Sequence, residues 1–235
     1  MNIHTIVLAA GEGSRMKSNR AKSLQRIGGT SMLEKICLTA GSISPKITLV
    51  VGFDKDSVIK ESKNYNLEIS TADQPKPIGT GDAVKCGITE VEDGSKVLVL
   101  YGDVPLIKKE TLEELISSSD GGLSILTTTL EDPHGYGRVK KDDLGNALAI
   151  VEEKDASTDE KNIKEIFTGV LCGQKELIDE GLAKLDNNNA AGEFYLTDLV
   201  SIISNKGFKI KTYNAPNDEV KGANSKAELA QLEGI

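Results

Sequence analysis

The sequence predicts one α/β domain whose β-sheet is mixed but mostly parallel, with helices on both faces and an inserted β-rich region. Short apolar runs alternate with amphipathic helical patterns through the first half of the chain. The length of 235 residues, without a linker-like stretch, favours a single domain over 1–235. In such sheets ligands bind beyond the carboxyl ends of the strands, so residues that directly follow a strand are the first candidates for a site.

The individual elements follow from the hydrophobic periodicity. In the first half, β-rich runs predict strands at Thr5–Ala9, Ile47–Val51, Leu67–Ser70 and Lys96–Tyr101, and apolar residues at helical spacing separate them. In the second half, we expect strands at Leu123–Thr129, Thr168–Cys172 and Lys209–Tyr213, and a hairpin of Gly137–Lys140 with Ala147–Glu152. Helical patterns cover Lys175–Leu185, Thr197–Ser204 and Ser225–Leu232.

Composition and charge exclude several classes of partner. With 28 Lys and Arg against 36 Asp and Glu, the formal net charge is −8. This argues against a nucleic-acid or anionic-membrane surface, because both need a clustered basic face. The cysteines Cys37, Cys86 and Cys172 fit neither a metal-binding spacing nor a disulfide framework. No stretch has the length and apolar character of a bilayer span or a secretory leader, so we expect a cytoplasmic protein without a membrane partner.

A glycine-rich turn follows the first predicted strand. It reads GEGSRM over residues 11–16, and Lys22 comes shortly after it. Backbone N–H groups at such a turn approach anions closely and nearby cations neutralise them, so the pattern is typical of phosphate binding. The turn is not a dinucleotide fingerprint, because Met16 replaces the last glycine, and it is not a Walker loop. An ordinary strand–helix turn is the alternative, which Arg15 and Lys22 make less favourable.

Asp103 follows the apolar run Val97–Tyr101 and would therefore lie at the carboxyl edge of the sheet. Mg²⁺ is commonly held by one or two carboxylates together with substrate phosphate oxygens. Asp103 beside a phosphate-binding turn therefore predicts a magnesium ligand, and the alternative is that it caps the turn into Pro105. Asn224 has an amide oxygen that can serve the same ion, although capping a helix is the commoner use of such a residue.

The segment Gln74–Ala83 lies between two of the predicted strands. Its prolines fix an extended path, and Gly79, Thr80 and Gly81 predict a tight turn into a helix. The side chain of Gln74 offers both a hydrogen-bond donor and an acceptor, which can match the edge of a pyrimidine. The alternative for Thr80 is a helix N-cap, which is compatible with a binding role.

Glu152 would lie on the second strand of the hairpin and accept hydrogen bonds from hydroxyl groups if it faced a cleft, with Glu153 facing away. A solvated charged turn is sufficient to explain Glu153 to Asp159. His4 and His134 have no carboxylate or cysteine partner at catalytic spacing, so we expect both to be structural or surface residues. No nucleophile–base pair stands out, which favours chemistry by positioning.

Together these segments resemble the uridylyltransferase (pyrophosphorylase) domain of bacterial N-acetylglucosamine-1-phosphate uridyltransferases. The matching motifs, in order, are LAAGxGxRM from Leu8, Lys22, Gln74, Gly79-Thr80-Gly81, YGDVPL from Tyr101, Tyr136-Gly137-Arg138, VExKDA from Val151, the triple asparagine at 187–189, GExYxTD from Gly192, and Gly222-x-Asn224. The opening turn alone is typical of the wider sugar nucleotidyltransferase superfamily, and the later motifs make the resemblance specific.

The resemblance implies a Rossmann-like nucleotidyltransferase fold, with a nucleotide-binding part near 1–110 and a sugar-binding part near 111–220. It implies that UTP and N-acetylglucosamine 1-phosphate give pyrophosphate and UDP-N-acetylglucosamine, a peptidoglycan precursor, with Mg²⁺ as cofactor. The implied nucleotide-binding residues are Leu8, Ala9, Ala10, Gly11, Gly13, Arg15, Lys22, Gln74, Gly79, Thr80 and Asp103. Arg15, Lys22 and Asp103 would be catalytic, Asp103 and Asn224 would bind Mg²⁺, and the sugar would contact Gly137, Glu152, Thr168 and Asn224.

The sequence departs from this family at three positions. Glu12 stands where the family usually has a basic residue, Ala21 where it usually has proline, and Phe167 where it has asparagine. Phe167 removes one expected sugar contact, which leaves open nucleotidyl transfer to a different sugar 1-phosphate. A non-catalytic protein that binds sugar nucleotides is an alternative of another class, disfavoured by the retained phosphate and metal residues. The family's acetyltransferase half has no counterpart in the sequence, which is consistent with a single-activity protein or an excised domain, and the oligomeric state is left open.

Overall fold

A computed structural model describes residues 2–13, 18–223 and 225–232 of the chain. Its strands are β1 (Ile3–Leu8), β2 (Arg26–Ile27), β3 (Thr30–Ser31), β4 (Lys46–Val51), β5 (Ile69–Asp73), β6 (Lys96–Tyr101), β7 (Leu123–Thr129), β8 (Arg138–Lys141), β9 (Ala147–Val151), β10 (Glu165–Gln174) and β11 (Ile210–Asn214). Its α-helices are α1 (Met32–Gly41), α2 (Lys55–Ser62), α3 (Thr80–Ile88), α4 (Lys109–Ser118), α5 (Thr158–Lys161), α6 (Lys175–Leu182), α7 (Asp198–Ser204) and α8 (Lys226–Leu232). A short 3₁₀ helix covers Lys22–Leu24.

One mixed sheet contains every strand except β2 and β3, in the order β5–β4–β1–β6–β10–β7–β11–β9–β8. The strands β5, β4, β1 and β6 are parallel to their neighbours within this group. Beyond them, β10 runs antiparallel between β6 and β7, β11 is parallel to β7, and the β8–β9 hairpin extends the far edge. Because β1, β4 and β6 are parallel, their carboxyl ends meet at one edge of the sheet, where the chain can form a cleft.

Helices cover both faces of this sheet and bury a core on each. In β1, Ile6 contributes to the core under α3, α6 and α7, whereas Val7 contributes to the core under α1, α2 and α4. This alternation explains why β1 is a continuous apolar run, since both of its faces are removed from water. Helix α3 packs very closely on the sheet, because a Cβ on Gly87 would lie 2.8 Å from the side chains of Ile6 and Val50.

The structure contains helices that the sequence analysis did not predict. Helix α4 buries Leu112, Leu115 and Ile116 against the sheet, and its apolar face is only these few residues wide between charged positions. Helix α5 overlaps the end of the segment predicted as a solvated turn and begins with a capping box between Ser157 and Glu160. Helix α5 is one turn long and polar, so hydrophobic periodicity gave no signal for it, whereas Leu112, Leu115 and Ile116 of α4 do have helical spacing and were overlooked.

Several predicted boundaries also shift. β5 starts at Ile69, two residues later than predicted, and pairs with β4 as far as Asp73. β10 spans Glu165–Gln174 and is longer than predicted, because it crosses between β6, β7 and β8 and changes register between Phe167 and Leu171. β9 ends at Val151, so Glu152 lies just beyond the strand, and the expectation that it lies on the strand was wrong.

Residues excluded from chemistry in the sequence analysis have structural surroundings. The ring of His4 is buried and hydrogen-bonds Thr48 at 2.8 Å, and burial lowers its pKa. Cys37 and Cys172 are buried free thiols, and burial raises the pKa of Cys37 to about 12. Among the described residues, no helix combines the length and apolar character that crossing a membrane requires.

Candidate active site

A cleft with a volume of about 370 Å³ lies beyond the carboxyl ends of β1 and β6. It is lined by Leu8, Ala9, Ala10, Gly11, Gly13, Lys22, Ser23, Gln74, Pro77, Gly79, Thr80, Ala83, Tyr101, Asp103 and Glu193. The structure thus brings together the nucleotide-binding residues predicted from the sequence, with the exception of Arg15, which lies outside the described residues. Their assembly follows from the parallel strands, which deliver consecutive turns to the same edge.

The turn after β1 is fixed by main-chain hydrogen bonds on both sides. The N–H of Ala9 donates to the carbonyl of Val50 at 2.9 Å, and the N–H of Gly102 donates to the carbonyl of Leu8 at 2.9 Å. Gly13 has a φ of +64°, and a Cβ there would lie 2.7 Å from the Cβ of Lys22. The turn therefore passes directly over Lys22, and glycine is required at position 13 both for the backbone conformation and for the close approach.

Lys22 and Asp103 form a direct ion pair inside this cleft. Their side chains are 14% and 22% exposed, so the pair is largely shielded from water but accessible from the cleft. One carboxylate oxygen of Asp103 thus contacts a cation, which agrees with a role of this residue inside the cleft. Gly222 packs directly against Asp103, since a Cβ there would lie 3.2 Å from the carbonyl oxygen of Asp103. Asn224, predicted to share an ion with Asp103, lies outside the described residues.

Gln74 closes the other end of the cleft and is buried. Its amide nitrogen donates to the carbonyl of Gly79 at 3.0 Å and to the carboxylate of Asp82 at 2.9 Å. Both amide hydrogens are therefore used within the protein, and the amide oxygen is the group that a ligand can reach. The sequence analysis expected the side chain of Gln74 to offer a ligand both a donor and an acceptor. The structure leaves only the acceptor, which suits an N–H on the edge of a base.

The tight turn before α3 packs against the main chain of a distant segment. Gly79 has a φ of +131°, and a Cβ there would lie 2.6 Å from the nitrogen of Phe194. The N–H of Gly81 donates to the carbonyl of Phe194 at 2.8 Å. The hydroxyl of Thr80 accepts a hydrogen bond from the N–H of Leu196 at 3.2 Å and does not cap its own helix, so the N-cap alternative for Thr80 was wrong.

Tyr101, at the end of β6, lines the cleft and is also close to a second group of predicted residues, because the charges of both Asp103 and Glu152 act on its phenol. Its ring packs against Gly169, where φ is +92° and a Cβ would lie 2.5 Å from the ring. Gly169 lies in the register shift of β10, which brings the main chain of that strand close to the ring. Burial raises the pKa of the Tyr101 phenol, so the hydroxyl stays protonated and hydrogen-bonds Thr80.

Glu152 and Gly137 lie together on this second side. A Cβ on Gly137 would lie 3.5 Å from a carboxylate oxygen of Glu152, and the same carboxylate accepts a hydrogen bond from the buried hydroxyl of Thr197 at 3.1 Å. Burial, reinforced by the charges of Asp198 and Asp155 and by Glu193, raises the pKa of Glu152. The arrangement is a half-buried carboxylate that can accept hydrogen bonds from hydroxyl groups.

Thr168, predicted to contact a sugar, uses its hydroxyl within the protein. The hydroxyl donates to the carbonyl of Leu126 at 2.9 Å and accepts from the N–H of Val170 at 3.3 Å. Its neighbour Phe167 is buried in the core that α3, α6 and α7 cover. The N–H of Phe167 donates to the carbonyl of Gly137 at 2.9 Å. This strand therefore supports Gly137 through its main chain, while the Phe167 ring packs in the apolar core.

Glu153 lies in a charged turn, as predicted, but its side chain is ion-paired and not simply solvated. Its carboxylate forms an ion pair with Arg138 at 2.6 Å, and the side chain of Arg138 is only 2% exposed. The sequence analysis missed this pair because a charged residue in a short strand is normally expected to face solvent, whereas Arg138 in β8 is buried. The available signals were that Arg138 stands beside Gly137, at the start of the predicted hairpin, and that it belongs to the Tyr136-Gly137-Arg138 motif.

The comparisons with known proteins agree with this geometry. A family profile for the MobA-like NTP transferase domain matches residues 5–177. The chain is 41% identical to the bifunctional protein GlmU of Alcanivorax borkumensis over 238 residues, covering 100% of this chain and 52% of that protein. It is 42% identical to the bifunctional protein GlmU of a Psychrobacter species, covering 97% of this chain and 50% of the relative. The chain therefore spans about half the length of the curated relatives it matches.

The fold is also found among solved structures. A structure described as a glucose-1-phosphate thymidylyltransferase of Bacillus anthracis, in complex with sucrose, superimposes with a TM-score of 0.79 at 17% identity, covering 99% of this chain and 94% of that one. The predicted mixed α/β nucleotidyltransferase-like fold is confirmed by this likeness. The resemblance predicted from the motifs is confirmed by the relatives and the profile, and the chain belongs to the family of MobA-like NTP transferase domains.

Proposed function

We propose that this chain transfers the uridylyl group of UTP to N-acetylglucosamine 1-phosphate, with release of pyrophosphate and formation of UDP-N-acetylglucosamine. The observation on which this depends is the Lys22–Asp103 ion pair beneath the glycine turn, within one cleft. A cation and a carboxylate at the carboxyl edge of the sheet are the groups that a metal–triphosphate needs. The identity of about 40% with GlmU proteins supports the choice of this reaction.

In this proposal the cleft binds UTP. The acceptor oxygen of Gln74 would receive the N–H of the uracil edge, and the turn from Leu8 to Gly13 would hold the ribose and phosphates through its main chain. Lys22 and the predicted Arg15 would neutralise the phosphate oxygens.

The donor set suits Mg²⁺. Among the described residues no cluster of three or more His, Cys, Asp or Glu side chains could hold a metal without help, but Mg²⁺ commonly takes one or two carboxylates plus phosphate oxygens and water. Asp103, with the predicted Asn224, would therefore hold it together with the substrates. When bound there, the ion would neutralise charge on the phosphate oxygens.

In the proposed reaction the protein aligns the two substrates for direct transfer of the uridylyl group. An oxygen of the sugar phosphate attacks the α-phosphorus of UTP, and the bond to the leaving pyrophosphate breaks on the opposite side. Such chemistry depends on positioning and charge stabilisation more than on covalent help from the protein. Lys22 would stabilise the charge that moves onto pyrophosphate, and removing one such group typically costs about 10²–10³ in rate.

The sugar 1-phosphate would bind on the far side of Tyr101. Glu152 would accept hydrogen bonds from sugar hydroxyls, the main chain of Gly137 would lie beside the sugar, and Thr168 would offer its remaining lone pair. The buried ring of Phe167 favours a second candidate of the same class, in which the acceptor is another hexose 1-phosphate.

The test is pyrophosphate release with a panel of hexose 1-phosphates, each paired with UTP, CTP and dTTP. We expect the highest kcat/KM for UTP with N-acetylglucosamine 1-phosphate, and activity that requires a divalent cation. A strong preference for another sugar would select the second candidate. Tight binding of UDP-sugars without any metal-dependent turnover would instead identify a non-catalytic binding protein.

A further inference from the structure

Arg138 is a buried charge whose hydrogen bonding is incomplete. It is one of the largest buried side chains of the chain, and among the described residues its Nε has no hydrogen-bond partner. Taking a guanidinium out of water costs several kcal/mol, and well-packed apolar residues often stabilise a fold equally well. A buried ion pair of this kind is therefore better explained by a need for defined geometry than by stability alone.

The ion pair lies directly beside two residues of the proposed sugar site. Arg138 follows Gly137 in the chain, and Glu153 follows Glu152. The guanidinium reaches both segments at once, since Nη2 donates to Glu153 at 2.6 Å and Nη1 donates to the carbonyl of Tyr136. The main chain on both sides of Gly137 is thus connected to the residue that follows Glu152.

Glu152 depends on this connection more than a strand residue would. β9 ends at Val151, so the main chain of Glu152 lies beyond the ladder that pairs β9 with β8. Its side chain is held by the hydroxyl of Thr197 at 3.1 Å. Glu153 supplies the next fixed point along the chain, because its carboxylate also accepts from the N–H of Gly135 at 3.3 Å and lies 3.9 Å from Lys161.

The hairpin has other supports that do not involve this pair. β8 and β9 keep their own ladder, and Phe167 donates to the carbonyl of Gly137 at 2.9 Å. Loss of the pair would therefore leave the strands in place, but Glu152 would no longer be held close to Gly137. Lysine could not replace arginine fully, because only the planar guanidinium presents donors to both acceptors in fixed directions.

We propose that Arg138 and Glu153 are positioning residues for the sugar 1-phosphate, an inference that rests on the proposed function. They fix the main chain before Gly137 and after Glu152, and so keep the carboxylate of Glu152 beside Gly137 at the edge of the proposed sugar site. Neither residue is needed for the nucleotide side of the cleft, which is built from other elements. Their loss therefore changes the affinity for one substrate and not for the other.

The experiment compares the KM for N-acetylglucosamine 1-phosphate with the KM for UTP in Arg138→Met, Arg138→Lys and Glu153→Gln. The matched control is Lys140→Met, which removes an exposed ion pair between Lys140 and Glu160, at 2.8 Å, on the same hairpin. We expect Arg138→Met to raise the KM for the sugar 1-phosphate about tenfold while the KM for UTP stays within about twofold. Arg138→Lys should have an intermediate effect, and Lys140→Met should leave both values unchanged.

Equal changes in both KM values, or a fall in melting temperature without any change in the sugar KM, would overturn the proposal. If Arg138→Met does not fold, Glu153→Gln decides the question, because it keeps the shape and removes only the charge. The wild type is assayed first with the full substrate panel. A wild type without turnover overturns the proposed function and this inference together, whereas wild-type turnover with an unchanged sugar KM in the variants overturns this inference alone.

Discussion

The two sides of Tyr101 are built in different ways. On the side proposed to bind the nucleotide, main-chain turns follow directly after β1, β5 and β6, and glycines allow the close approaches. On the other side, the β8–β9 hairpin, the register shift in β10 and the segment before α7 each contribute one or two groups, which ion pairs and hydroxyls hold in place. The first side is fixed by the sheet itself, and the second depends on side-chain contacts between segments that are far apart in sequence.

The largest effect is expected on the nucleotide side. Asp103→Ala should lower kcat by about 10²–10³ or more, because it removes the carboxylate from the cleft and leaves Lys22 without this partner. Steady-state pyrophosphate release measures the effect, and Asp143→Ala, in the exposed hairpin turn, is the control. Near-normal turnover of the Asp103 variant would show that the nucleotide side does not carry the chemistry.

A smaller and more selective effect is expected on the other side of the Tyr101 ring, where Glu152 lies. Glu152→Gln should raise the KM for the sugar 1-phosphate about 10–100-fold with little change in the KM for UTP, because it weakens a charge-assisted hydrogen bond to a hydroxyl. Initial rates with each substrate varied in turn will separate the two constants. An increase confined to the KM for UTP would contradict the division of the site at Tyr101.

Gly169→Ala tests the role of the Tyr101 ring between the two sides of the site. The new Cβ would lie 2.5 Å from the Tyr101 ring, which must then move and disturb both sides. We expect kcat/KM to fall about tenfold for both substrates. Gly145→Ala is a matched control, because Gly145 also has a positive φ, +81°, but no atom lies within 4 Å of the added Cβ. Equal losses in the two variants would assign the effect to backbone strain and not to the ring.

The smallest effect concerns stability and pH, and it has opposite signs at adjacent residues. Burial raises the pKa of Glu152, so its ionised form costs stability as pH rises above the ordinary glutamate range. Glu152→Gln should therefore raise the melting temperature by about 2 °C at pH 7.5, with the gain disappearing near pH 4.

The hydrogen bond from Arg138 lowers the pKa of Glu153, so its ionised form contributes stability that is lost as pH falls through the lowered value. Glu153→Gln should therefore lower the melting temperature at pH 7.5, and the difference should shrink in acid. Thermal melts of both variants across this pH range provide the comparison. A shift of the same sign in both would show that the two carboxylates do not differ in environment.

The contrast between the two sides also explains what the sequence could predict. Asp103 and the turn at Gly11 follow apolar strands, and the geometry of a parallel sheet is sufficient to bring them to one edge. Arg138 and Glu153 carry no comparable signal, because their pairing depends on where β9 stops and on how the chain continues after it. The register shift at Gly169 is likewise set by tertiary packing, which local periodicity does not encode.

The main-chain contact between Gly79 and Phe194 has a consequence for protein engineering. If the segment around Phe194 were replaced by that of a relative with a different sugar preference, its main chain would have to follow the same path. Gly79 packs directly on that main chain and has no side chain that could adjust to a different path. Residues 187–197 and the turn before α3 would therefore have to be exchanged as one unit. Specificity in this scaffold is better redesigned by changing single side chains than by swapping segments.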